Sequence, residues 1–76
     1  MTREHEKDAR FRTLLSEARM DRGLTQTEVA DRLGLPKNYV SKYELGRRSL
    51  SVPEFVDVCV AIGVGPIVIL SRLYKE

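Results

Sequence analysis

Leu24-Thr25-Gln26-Thr27-Glu28-Val29-Ala30-Asp31-Arg32-Leu33-Gly34-Leu35-Pro36-Lys37-Asn38-Tyr39-Val40-Ser41-Lys42-Tyr43-Glu44-Leu45-Gly46-Arg47-Arg48 decides the fold. Thr25 to Glu28 has the form of a capping box, in which the hydroxyl accepts the Glu28 amide and the Glu28 carboxylate reaches back. Val29, Ala30 and Leu33 then fall on one helical face, and Gly34 supplies the permissive backbone that stops the helix. A second helix opens near Pro36 or Lys37, since proline lacks an amide that the first turn would leave unpaired. It ends near Leu45, with Gly46 as its cap. Val40 and Tyr43 anchor its inner face, so Lys37, Asn38, Ser41 and Lys42 point outward. Two short helices joined by a tight glycine turn cross steeply, and the small Ala30 lets their backbones approach.

Outward from this pair, an N-terminal helix is expected from about Lys7 to Arg22, with Phe11, Leu14, Leu15 and Ala18 as its apolar stripe. Gly23 terminates it and Leu24 makes the apolar contact that follows such a stop. Residues 1–8 read as a flexible charged arm and 9–76 as one domain. Ser51-Val52-Pro53-Glu54 is a second capping box. It starts a helix to Ala61 or Ile62 carrying Val52, Phe55, Val56, Cys59, Val60 and Ile62. Gly63 and Gly65 break it, and Pro66 opens a fifth helix ending near Tyr74. No period-two alternation appears, so the chain is all-α.

Composition sets bounds on function. The chain has 76 residues, 42% of them hydrophobic and 32% charged, with a net charge of +2. One cysteine allows no internal disulfide, and one cysteine with one histidine cannot build a Cys/His zinc site. Cys59 is expected in the core and His5 in solvent. The charged first ten residues are unlike a signal peptide, and the apolar run Val64–Leu70 is far short of the ~20 residues that span a bilayer. A cytoplasmic protein without cofactor is expected. An enzyme is not, because no nucleophile–histidine pair, phosphate-cradling loop or metal cluster is present. Lys37, Lys42, Arg47 and Arg48 face Glu44 alone within residues 37–48. That stretch holds a surplus of three positive charges and leaves the rest of the chain one negative. A basic patch of this kind suits a polyanionic partner.

The quoted stretch resembles the phage repressor and Cro family, of the xenobiotic-response-element type, and the likeness extends over roughly residues 10–74. It implies a five-helix lambda-repressor-like domain with the third helix as recognition helix, binding a double-stranded DNA operator. Gln26 matches the glutamine that contacts a phosphate and braces the recognition helix, with Thr27 beside it. Lys37, Asn38 and Lys42 match the base-reading positions. Lysine can donate to guanine and asparagine can pair with adenine. Tyr39, Ser41, Arg47 and Arg48 match positions of backbone or mixed contact. Pro36 departs from the serine or threonine common at its position. Glu44 is expected to pair with an arginine or cap a loop amide.

Ile67, Val68, Ile69 and Leu70 are consecutive and, with Leu73 and Tyr74, wrap the fifth helix in apolar surface. This implies a homodimer interface. A twofold dimer would set two recognition helices one DNA turn apart, about 34 Å, on a near-palindromic operator. Family members of this length include phage Cro-like repressors and the controller proteins of restriction–modification systems. The length and the apolar fifth helix suit the controller type better, and binding at an operator could repress by blocking RNA polymerase or activate by touching it. The alternative is a protein-binding module such as an antitoxin.

Overall fold

The computed structural model describes residues 3–75, with side chains from residue 6 onward. It contains five helices, with no strand among the described residues: α1 (Arg3–Asp21), α2 (Gln26–Leu33), α3 (Asn38–Glu44), α4 (Val52–Ile62) and α5 (Pro66–Leu73). α1 starts at Arg3 and not near Lys7, so residues 3–8 of the expected arm are helical. The charged run there lacks an apolar stripe but consists largely of good helix formers. Residues 1–2 and the His5 side chain lie outside the described part of the chain.

Local chemistry starts and stops each helix. Thr25 Oγ1 accepts the Glu28 amide at 3.0 Å, and Glu28 Oε1 accepts the Thr25 amide at 2.8 Å. Ser51 and Glu54 repeat this at α4, at 3.2 and 2.8 Å. Each box satisfies two amides that a helix start would otherwise leave without partners. Pro66 opens α5 directly after Gly65.

One core gathers residues from all five helices. Leu14, Leu15 and Ala18 come from α1 and Val29 and Ala30 from α2. Tyr39, Val40 and Tyr43 come from α3, Phe55, Val58, Cys59, Ala61 and Ile62 from α4, and Ile69 from α5. Phe11 of α1 closes one side against Phe55, ring centroids 5.1 Å apart. Burial of Cys59 pushes its thiol up to about 11.

The fifth helix needs one correction. Ile69 is fully buried within the single chain, so it cannot line a dimer interface. Within Ile67–Leu70 it alone points at the core, while Ile67, Val68 and Leu70 are exposed, as is Tyr74, and Leu73 packs partly against the core. On α4, the apolar residues divide into two faces. Phe55, Val58, Cys59 and Ile62 point inward. Val52, Val56 and Val60, spaced four apart, form an outer stripe on which Val52 is 75% and Val60 72% exposed.

Candidate nucleic-acid interface

The turn between α2 and α3 is fixed by Gly34, whose φ of +69° places it in the left-handed region. Its amide donates to the Asp31 carbonyl and the next amide, of Leu35, to the Ala30 carbonyl. This is a Schellman-type stop that an L side chain would strain. Pro36 and Lys37 then lead into α3. No side chain caps that start, and the Tyr39 amide donates to the Pro36 carbonyl at 2.9 Å. The proline is thus accommodated by backbone bonding in place of a capping hydroxyl.

α3 has a sharply divided surface. Tyr39, Val40 and Tyr43 are buried, and the Tyr39 and Tyr43 rings meet edge to face at 5.8 Å. Lys37, Asn38 and Lys42 are exposed, and their side chains make no hydrogen bond or ion pair among the described residues. Ser41 is half-buried and its hydroxyl donates back to the Asn38 carbonyl. Tyr39, expected at the contact surface, is instead a core residue on the margin of that surface. Leu45, 66% exposed, follows Asn38 and Lys42 at helical spacing. No local motif marks Leu45 for a role, though its position three after Lys42 places it on that side.

A polar network holds this helix in place. Glu44, at the end of α3, accepts from Arg19 of α1 through both oxygens, at 2.8 and 3.2 Å. Arg19 also donates to the Leu24 carbonyl at 2.8 Å, and Gln26 Nε2 donates to Glu44 Oε1 at 2.9 Å. Three helices therefore meet on one carboxylate. Hydrogen bonding to Glu44 raises the Arg19 pKa. Glu44 was expected to pair with an arginine; its partner, 25 residues earlier, carried no local signal. Tyr43 lies beneath, and burial pushes its phenol well above the ordinary value.

Beyond α3 the chain turns through Gly46, φ +80°. Arg47 donates its amide to the Lys42 carbonyl at 2.8 Å, closing the helix end. A Cβ on Gly46 would stand 2.9 Å from Cζ of Arg12, so the α1 guanidinium rests directly on this glycine. Arg47 is exposed. Arg48 differs: its guanidinium lies 5.1 Å from the centre of the Tyr39 ring and pairs with Glu54 of α4. The result is a convex, cationic helix face flanked by a half-buried glutamine amide and an exposed arginine. A carboxylate and two arginines brace it from behind.

Comparison with known proteins agrees with this geometry. The helix-turn-helix family matches residues 15–69. An uncharacterized HTH-type transcriptional regulator, y4dJ, of Sinorhizobium fredii (strain NBRC 101917 / NGR234) is 36% identical over 53 residues, covering 70% of this chain and 69% of its own. The solved structure of an XRE-family like protein from Pseudomonas syringae pv. tomato str. DC3000 superposes with a TM-score of 0.88 at 44% identity, over 92% of this chain and 85% of that one. With α2 and α3 forming the motif and the match spanning most of the sequence, the chain belongs to the helix-turn-helix family of DNA-binding transcriptional regulators, of the Cro/C1 or xenobiotic-response-element type.

Proposed function

We propose that this protein is a sequence-specific regulator of transcription that seats α3 in the major groove of a near-palindromic operator and binds it as a homodimer. The observation that carries the reading is the divided surface of α3. Its inner side is locked by Tyr39, Val40, Tyr43 and the Arg19–Glu44–Gln26 network, while Lys37, Asn38 and Lys42 stand outward with no side-chain partner among the described residues.

Each residue has a chemical task. Lys37 donates to guanine O6 and N7, and Asn38 pairs with adenine N6 and N7. Lys42, one turn on, takes a base edge or a phosphate. Gln26 uses one amide hydrogen for Glu44 and offers the other to a phosphate at the start of α2, where backbone amides favour an anion. Thr27 and Ser41 flank these contacts. Arg47 adds a phosphate contact that supplies salt-dependent affinity without sequence information.

The dimer surface combines the outer α4 stripe, Val52, Val56 and Val60, with Ile67, Val68, Leu70 and Tyr74 of α5. Apolar side chains at this density on a small domain favour association, which covers them and supplements a small core. No single helix among the described residues is long and apolar enough to cross a membrane, and the reading places the protein in the cytoplasm with its DNA.

Selection of binding sites from random duplex DNA tests the proposal. A short inverted repeat is expected, with Lys37→Ala relaxing one position and Arg47→Ala weakening all sites alike. Failure to enrich any sequence at low salt would refute it.

A further inference from the structure

Arg48 immediately follows Arg47, yet the two are held differently. Arg47 is exposed and makes no ion pair among the described residues. The Arg48 guanidinium stacks on the Tyr39 ring and pairs with the Glu54 carboxylate. That carboxylate is already committed, because its Oε1 accepts the Ser51 amide in the capping box that starts α4. Tyr39 is the second residue of α3, between Asn38 and Val40. Arg48 therefore joins the first turn of the reading helix to the first turn of α4 through two side-chain contacts. It crosses a connection, residues 45–51, that contains no helix.

The start of α3 needs such a support. It has no side-chain cap, and its N-cap position, Lys37, already has helical backbone angles. The Arg19–Glu44–Gln26 network secures only the C-terminal end of the helix. At the N-terminal end, where Lys37 and Asn38 stand, Tyr39 is the ring that packs inward. Arg48 covers that ring from the solvent side. A guanidinium suits the task, since it stacks on the aromatic face while forking toward a carboxylate.

We propose that Arg48 is a positioning residue for sequence reading, setting the seat of the Lys37–Asn38 end of α3 against α4 through Tyr39 and Glu54, and is not a phosphate contact. This rests on the DNA-reading function above. It also makes α4, whose outer stripe is the proposed dimer surface, the reference against which the reading helix is set. Arg48 then affects discrimination between sequences, whereas Arg47 affects general attraction to DNA.

The test compares Arg48→Gln, Glu54→Gln and Arg47→Gln with wild type. Each is titrated against the selected operator duplex and a scrambled duplex over a range of salt. Arg47→Gln is expected to weaken both duplexes and to lower the slope of log K against log salt by about one. Arg48→Gln is expected to weaken the operator about tenfold, to change scrambled binding less than about twofold, and to keep the wild-type slope. Glu54→Gln should follow Arg48→Gln, in the same direction and with the same unchanged slope. A DNA-free measurement stands beside these. Amide hydrogen exchange at Asn38–Lys42 should quicken about threefold in Arg48→Gln, and not in Arg47→Gln. A slope lowered by one in Arg48→Gln, with both duplexes weakened equally, would make Arg48 a phosphate contact and overturn the proposal. So would unchanged exchange in α3. If wild type selects no sequence, the reading function itself fails, and the exchange measurement alone decides whether Arg48 positions α3.

Discussion

The Glu44 carboxylate accepts from the Arg19 guanidinium at 2.8 and 3.2 Å, and both side chains are about nine-tenths buried. The pair joins the end of α3 to α1, and Gln26 is hung from the same carboxylate. Removing one partner of such a pair leaves the other charge without compensation in a poorly solvated place. Glu44→Ala is therefore expected to cost about 3 kcal/mol, seen as a lower midpoint in urea unfolding. It should also loosen Gln26. Glu44→Ala with wild-type stability would show that solvent screens the pair far more than its burial implies.

Acid should weaken the protein through its two capping boxes. The Glu28 and Glu54 carboxyls are held below the usual carboxylate range, first by the backbone amides of Thr25 and Ser51. A carboxyl whose pKa is lowered in the folded state contributes stability that is full above its unfolded value, about 4.3. That contribution is lost as pH falls through the lower folded value. Stability should thus decline as pH drops below about 4.3, and the decline should be shallower in a Glu28→Gln, Glu54→Gln double variant. Urea midpoints taken at intervals from neutral to acidic pH would measure it. An identical decline in both proteins would locate the acid sensitivity elsewhere.

Two glycines with the same backbone hand should respond differently to alanine. Gly34 has open space where a Cβ would stand, so Gly34→Ala meets only the left-handed strain, about 1–2 kcal/mol. At Gly46 the new methyl would also meet the Arg12 guanidinium. Gly46→Ala should be the more destabilising, and Arg12→Ala in the same chain should recover the difference. Equal losses in thermal unfolding would mean that the arginine swings aside at no cost.

The outer and inner apolar residues of the C-terminal half should separate association from folding. Val60→Asp, at an exposed site, is expected to shift the protein toward monomer in sedimentation equilibrium and to leave monomer unfolding within about 0.5 kcal/mol. Ile69→Ala, in the core, is expected to cost about 2–5 kcal/mol. A Val60→Asp protein that associates as wild type does would remove α4 from the proposed dimer surface.

How much of this was legible beforehand depends on the range of the interaction. Both capping boxes, the stops at Gly23, Gly34 and Gly63, and the outward set Lys37, Asn38 and Lys42 depend on residues within one turn of each other, so order along the chain displays them. Arg19 and Glu44 are brought together by the crossing of α1 and α3, which no local pattern encodes. The same holds for Arg48 with Tyr39. The run Ile67–Leu70 hid its direction because consecutive apolar residues give no period. Only packing of α5 against α1 and α4 singles out Ile69. On α4, valines fill both faces, so the outer stripe and the core looked alike in composition.

The side chains proposed to read DNA, on and just before α3, and the side chains that hold the helix are separate sets. The exposed side chains of Lys37, Asn38 and Lys42 make no hydrogen bond or ion pair among the described residues, while Tyr39, Val40, Tyr43 and Glu44 alternate with them and face away. Under the proposed function, changes at the first set retarget the protein to a new operator with the scaffold untouched. Because the two sets interleave within residues 37–44 and face opposite ways, substitution at the outward set leaves the packed set in place. The helix is in effect an interchangeable key on a fixed bow.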